Sequence, residues 1–127
     1  MEKTIALLKE YLQTLYPVSN EDFEKISTAL FKREFKPKER LINEQELEEN
    51  LYFVMSGVAR KFFYRNKQEV ITQFYAENEL VSEIVSFLTG SPSRYNIEAI
   101  EPVVCMGIQK AVLEKLLIEI RDLLKRQ

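Results

Sequence analysis

The chain contains no histidine and one cysteine, Cys105, in 127 residues. Without them no Ser-His-Asp or Cys-His catalytic arrangement can be built, and no zinc or iron site of His or Cys type can form within one chain. A disulfide framework is excluded as well, which suits a reducing, cytoplasmic setting. Cys105 sits in the apolar run VVCMGI and is expected to serve as a small buried hydrophobe. A basic surplus is also missing. Lys and Arg number 18 against 20 Asp and Glu, for a net charge of −2, whereas a domain that binds nucleic acid by itself usually shows an excess or stripe of positive charge. The cluster Lys32, Arg33, Lys36, Lys38 and Arg40 is broken by Glu34 and Glu39 and reads as solvated surface. The N-terminal MEKTIALLKEYLQTLY is interrupted by charge every few residues, so neither a signal peptide nor a membrane span is expected.

What is present suits a packed globule. The hydrophobic share is 46% and the aromatic share 11%. A chain of this length fits one domain and can bury roughly 65% of its unfolded surface. Residues 2–16 carry Ile5, Leu7, Leu8, Tyr11, Leu12 and Leu15 at helical spacing, which predicts an amphipathic helix closed by Pro17. Ser19 or Asn20 then caps a second helix bearing Phe23, Ile26 and Leu30, with Glu21 and Asp22 against its N-terminal dipole. Beyond it the period changes to two. FKREFK alternates, LYFVMSGVARKFFYR reads as two strands meeting at Ser56-Gly57, and Asn66-Lys67 reverses into EVITQFYA. Short strands with tight turns at this spacing predict an antiparallel barrel or sandwich. A short helix within residues 79–88, strands at 95–100 and 103–108, and an amphipathic helix over 110–125 complete the chain. The last helix carries Val112, Leu113, Leu116, Leu117, Ile120, Leu123 and Leu124.

The segment ELVSEIVSFLTGSPSRYNIEAIE (79–101) is the richest in chemistry. A helix start leaves N–H groups unpaired and favours an anion. Glu83 is the candidate polar partner and Arg94 the candidate cation. The acidic loop NEQELEEN (43–50) offers Glu44, Glu46, Glu48 and Glu49. It lacks the Asp and Gly spacing of a calcium loop and reads as solvated. Of the aromatics Phe53, Phe62, Phe63, Tyr64, Phe74 and Tyr75, most are expected in the core.

From about Phe31 to Leu117 the sequence resembles the effector domain of the catabolite-activator/Fnr (Crp/Fnr) superfamily. The pieces that carry the likeness are LYFVMSG with Gly57, and SFLTGSPS…IEAIE. The resemblance implies a mainly β fold with flanking helices, a jelly roll (double-stranded β-helix) of the cyclic-nucleotide-binding domain type. It implies residues 1–30 as N-terminal helices, 31–109 as the roll and 110–127 as a C-terminal helix, in one domain. In such a roll a cyclic nucleotide, cAMP or cGMP, lies over a short phosphate-binding cassette. Carried over, Glu83 would accept from the ribose hydroxyl and Arg94 would pair with the phosphate, beside N–H groups from Ser82 to Ile84. The chain departs from the pattern. Ser82 replaces a glycine, Tyr95 replaces a small residue, and Gln45 stands at a turn glycine. A gap-free alignment on Gly90-Ser91-Pro92 places Ser93, not Arg94, in the arginine position, and an offset of one residue exchanges strand faces. The candidate ligand-binding residues are therefore Ser82, Glu83, Ile84, Ser93, Arg94 and Tyr95.

Two functions follow. One is a non-enzymatic regulatory sensor for a small anionic effector, signalling through the C-terminal helix, with no cofactor required. The other is an interaction module in which the roll is filled by its own side chains and the last helix supports a homodimer. Full-length members of the superfamily reach DNA through a helix-turn-helix domain. The seventeen residues after Lys110 suffice for one helix, so DNA binding is not expected of this chain alone.

Overall fold

The computed structural model describes residues 2–125, with side chains through residue 122. Helices α1 (Glu2–Leu15) and α2 (Asn20–Ser27) precede five strands, β1 (Phe31–Phe35), β2 (Arg40–Ile42), β3 (Asn50–Ser56), β4 (Ala59–Arg65) and β5 (Gln68–Tyr75). Helix α3 (Ile84–Thr89), strands β6 (Asn96–Ala99) and β7 (Val103–Gln109), and helix α4 (Lys110–Lys125) follow. Ser19 caps α2 in a capping box. Its hydroxyl accepts the Asp22 N–H while the Asp22 carboxylate accepts the Ser19 N–H, which satisfies two donors of the first turn.

The strands form two antiparallel sheets, β1-β7-β3 and β2-β6-β4-β5. The fold is the expected jelly roll. Strands β3 and β4, adjacent in sequence, belong to different sheets, and the chain crosses between them at Gly57. Its φ is +98°, and a Cβ there would lie 2.2 Å from the Pro102 carbonyl oxygen. Only glycine fits that crossing. The β4–β5 hairpin turns at Asn66-Lys67, both with positive φ, the geometry that matches strand twist in a two-residue loop.

Period-two alternation gives the three-stranded sheet two apolar faces. Leu51, Phe53 and Ile108 face the helices and pack with Leu8, Leu12, Phe23, Ile26, Leu113 and Ile120. Tyr52, Val54, Val103 and Cys105 face the second sheet and pack with Ile42, Ala59, Tyr75, Ile97 and Ala99. The first cluster anchors α4 to the body: Leu116 and Leu117 also pack there, while Ile118 is exposed. Leu123 and Leu124 lie outside the described side chains.

Several local expectations are corrected. Helix α3 starts at Ile84, because residues before it are held extended, with Leu80 bridged to Phe53. Tyr64 and Phe74 are exposed on the outer face of the hairpin rather than in the core. There Arg60 and Arg40 cover buried Phe62 at 4.2 and 4.9 Å and both bond Glu98, an arrangement that the apolar count alone does not reveal.

Candidate functional site

The segment between β5 and β6 is built on hydrogen bonds to its neighbours. Ser82 is buried. Its hydroxyl accepts the Tyr52 N–H at 2.7 Å and donates to the Asn50 carbonyl at 2.8 Å. It thus pins the approach to α3 onto β3. Glu83, also buried, is the N-cap of α3, and its carboxylate accepts the Ser86 N–H at 3.1 Å. Ile84 is half-buried in the first turn. Gly90, with φ +73°, ends α3 in the left-handed conformation common at helix C-termini. Tyr75, on the inner face of the four-stranded sheet, has its hydroxyl pushed up to about 12 by burial, with Glu83 and Glu79 adding to the rise.

After the turn, Ser93 is fully buried and Arg94 is exposed. The Ser93 hydroxyl donates to the Tyr95 carbonyl at 2.8 Å and accepts the Tyr95 N–H at 3.1 Å. That closed local pair fixes the backbone of Tyr95. The ring meets Phe63 edge-on at 6.0 Å, and the Lys61 ammonium rests 4.1 Å from its centroid. Of the six sequence candidates, Ser82, Glu83 and Ser93 are thus inside, Ile84 and Tyr95 are half-buried, and Arg94 is on the surface.

The 43–49 loop binds these pieces together. The Gln45 N–H donates to the Ser93 carbonyl, and the Ser93 N–H donates to the Glu46 carbonyl, both at 2.8 Å. The Glu48 N–H donates to the Ser86 hydroxyl, and the Lys110 N–H, at the start of α4, donates to the Glu49 carbonyl. Gln45 holds the turn at φ +73° without glycine. The Glu44 N–H donates to the side-chain oxygen of Asn96, buried in β6, and the Glu44 carboxylate accepts from the Asn96 amide, both at 2.9 Å.

Glu48 overturns the reading of this loop as solvated throughout. It is 5% exposed, and its carboxyl accepts N–H groups of Glu83 and Asn50 at 3.4 Å. Burial raises its pKa to about 8, and those two bonds only partly offset the rise. Three neighbouring glutamates, Glu44, Glu46 and Glu49, hide it, because nothing in the spacing marks which of the four turns inward. Lys61 was more legible, since it alternates between Ala59 and Phe63 on the inner side of β4. Beside Glu48 a cavity of about 400 Å³ opens between this loop, Ser86 and the first turn of α4. Among the described residues, no group of three or more His, Cys, Asp or Glu could hold a metal ion, and no helix is long and apolar enough to cross a membrane.

Comparison with known proteins places this geometry. Residues 32–119 match the cyclic nucleotide-binding domain family. A putative cAMP-binding regulatory protein from Silicibacter pomeroyi DSS-3 superposes with a TM-score of 0.76 at 18% identity, over 94% of this chain and 54% of that one. The regulatory domain of Toxoplasma gondii PKA, solved with cAMP, gives 0.71 at 17% identity, over 98% and 45%. The N-terminal domain of a Streptomyces coelicolor A3(2) transcriptional regulator gives 0.70 at 15%, over 85% and 75%. At these identities the likeness is one of fold. The chain spans about half the length of the first two proteins. No curated protein matches it.

Proposed function

Because the chain belongs to the cyclic nucleotide-binding domain family, we propose that it is the effector-sensing domain of a Crp/Fnr-type transcription regulator, formed by residues 1–127 as one unit. It takes a small anionic effector of the nucleotide class in the roll and signals through α4. Its role is binding, without catalysis. The observation that carries this reading is the buried Glu83 carboxyl, fixed at the cap of α3 by the Ser86 N–H. A carboxylate in that place accepts hydroxyl protons of a sugar. Contact with DNA would belong to a helix-turn-helix domain outside this chain.

Thermal denaturation with millimolar cAMP, cGMP, adenosine and guanosine tests the reading. A ligand at 100 times its Kd adds about 2.7 kcal/mol, several degrees for a domain of this size. We expect a selective shift by a cyclic nucleotide that Glu83→Ala removes. No shift with any of the four would reject a nucleotide effector.

A second reading, an interaction module that dimerises through α4, draws support from Tyr95. Its ring is packed against Phe63 and under Lys61, committed to the protein's own side chains.

A further inference from the structure

The inner face of the four-stranded sheet changes character along β4. Antiparallel register sets Ala59 beside Tyr75 and Ala99, and all three are buried. One step along that face, Lys61 pairs with Gln73 on β5 and Ile97 on β6. Here Lys61 is half-buried and Gln73 exposed, and beyond them Phe63, Val70 and Tyr95 are half-buried. The closed core thus gives way to a half-buried group of one cation and two aromatic rings, with an exposed amide beside it. None of the ion pairs among the described residues involves Lys61. The next cations on the sheet behave otherwise. Arg40 and Arg60, on the outer face, are committed to Glu98 and Glu69.

We infer that Lys61 is the cation that receives the anionic group of the effector, and that Tyr95 is the alternative partner with which the effector competes. This rests on the nucleotide-class reading above. The ammonium lies 4.1 Å from the Tyr95 centroid. An aromatic face holds an ammonium more weakly than a phosphate oxygen in hydrogen-bond reach does. An anion reaching this group therefore draws Lys61 off the ring. Ser93 sets the geometry by bonding both backbone groups of Tyr95. The cation has in effect moved from the turn, where Arg94 is exposed, to the neighbouring strand. Lysine is a compact charge on a flexible stem, without the planar fork that reads bidentate geometry. Charge should consequently matter more than phosphate shape, so that cyclic and linear monophosphates are accepted alike.

The test is titration calorimetry with cAMP, AMP and adenosine on wild type, Lys61→Met, Lys61→Arg and Arg94→Ala, each first confirmed folded by its melting curve. We expect Lys61→Met to lower affinity for both monophosphates by about 10–100-fold, the range for a hydrogen bond to a charged group. Adenosine should change less than about twofold, on the same grounds. Lys61→Arg should retain most of the preference for the phosphate, and Arg94→Ala should leave every affinity unchanged. Equal loss of cAMP and adenosine in Lys61→Met, no loss at all, or a selective loss in Arg94→Ala would each overturn the assignment of Lys61 while leaving the nucleotide reading intact. Wild type that binds none of the three would reject that reading and Lys61 with it.

Discussion

Glu48 and Cys105 are both buried ionisable residues in this protein, and burial acts on them in the same direction. The Cys105 thiol is pushed up to about 12 by loss of solvent, so at neutral pH it is the small hydrophobe its apolar run predicts. Glu48 is raised from an ordinary 4.5 to about 8. In the unfolded chain the carboxyl loses its proton near 4.5, whereas the folded protein retains it to about 8. Between those values the folded state binds more protons, so this group's stabilising effect is complete below about 4.5 and is lost as pH rises to about 8. The slope is at most about 1.4 kcal/mol per pH unit. Melting temperatures from pH 5 to 9 should fall for wild type and fall less for Glu48→Gln, which keeps the shape without the proton equilibrium. Parallel curves would show that Glu48 is solvated after all. Composition located Cys105, but an acidic run gives no means of singling out Glu48, whose burial is decided by α3 packing across the loop.

At the scale of elements, strong local signals were legible and boundaries set by tertiary contact were not. Ser19 with Asp22, Pro17 after α1 and Asn66-Lys67 in the hairpin each act within a few residues, and each stands where the sequence puts it. The Ser19 cap is correspondingly testable. Ser19→Ala removes one acceptor and should cost about 1 kcal/mol, visible as a lower denaturation midpoint with unchanged slope. An unchanged midpoint would mean that packing of Phe23 and Ile26 alone holds α2. The start of α3 was not legible, because Leu80 and Ser82 are tied to β3, about thirty residues away in sequence, by a bridge to Phe53 and a hydroxyl bond to the Tyr52 N–H. In the candidate site, alternation separates Ser93 from Arg94, yet only the fold shows which is inside.

At the scale of the molecule, two apolar clusters share the three-stranded sheet, and α4 belongs to the one on the helix side. Ile120 is 6% exposed within it and Ile118 is 48% exposed. From Leu113 to Ile120 the leucine-rich stripe is therefore largely consumed by the protein's own core. If a dimer forms through the remaining face of α4, Ile118→Glu should dissociate it and leave the melting temperature nearly unchanged. Ile120→Glu should instead unfold the protomer, by burying a charge without a partner. Sedimentation of both variants decides: a wild type that is monomeric, or a dimer indifferent to Ile118→Glu, removes α4 as the interface.

The 43–49 loop, whose backbone is bonded to the Ser93 turn and the first residue of α4 and meets α3 through the Ser86 hydroxyl, has a practical use. Its one large apolar side chain in the open, Leu47, is 52% exposed. A dye or a second protein attached there would sit beside the bonds that join the Ser93 turn, α3 and α4, outside both apolar clusters. That makes position 47 a labelling point for an optical test of the proposed effector.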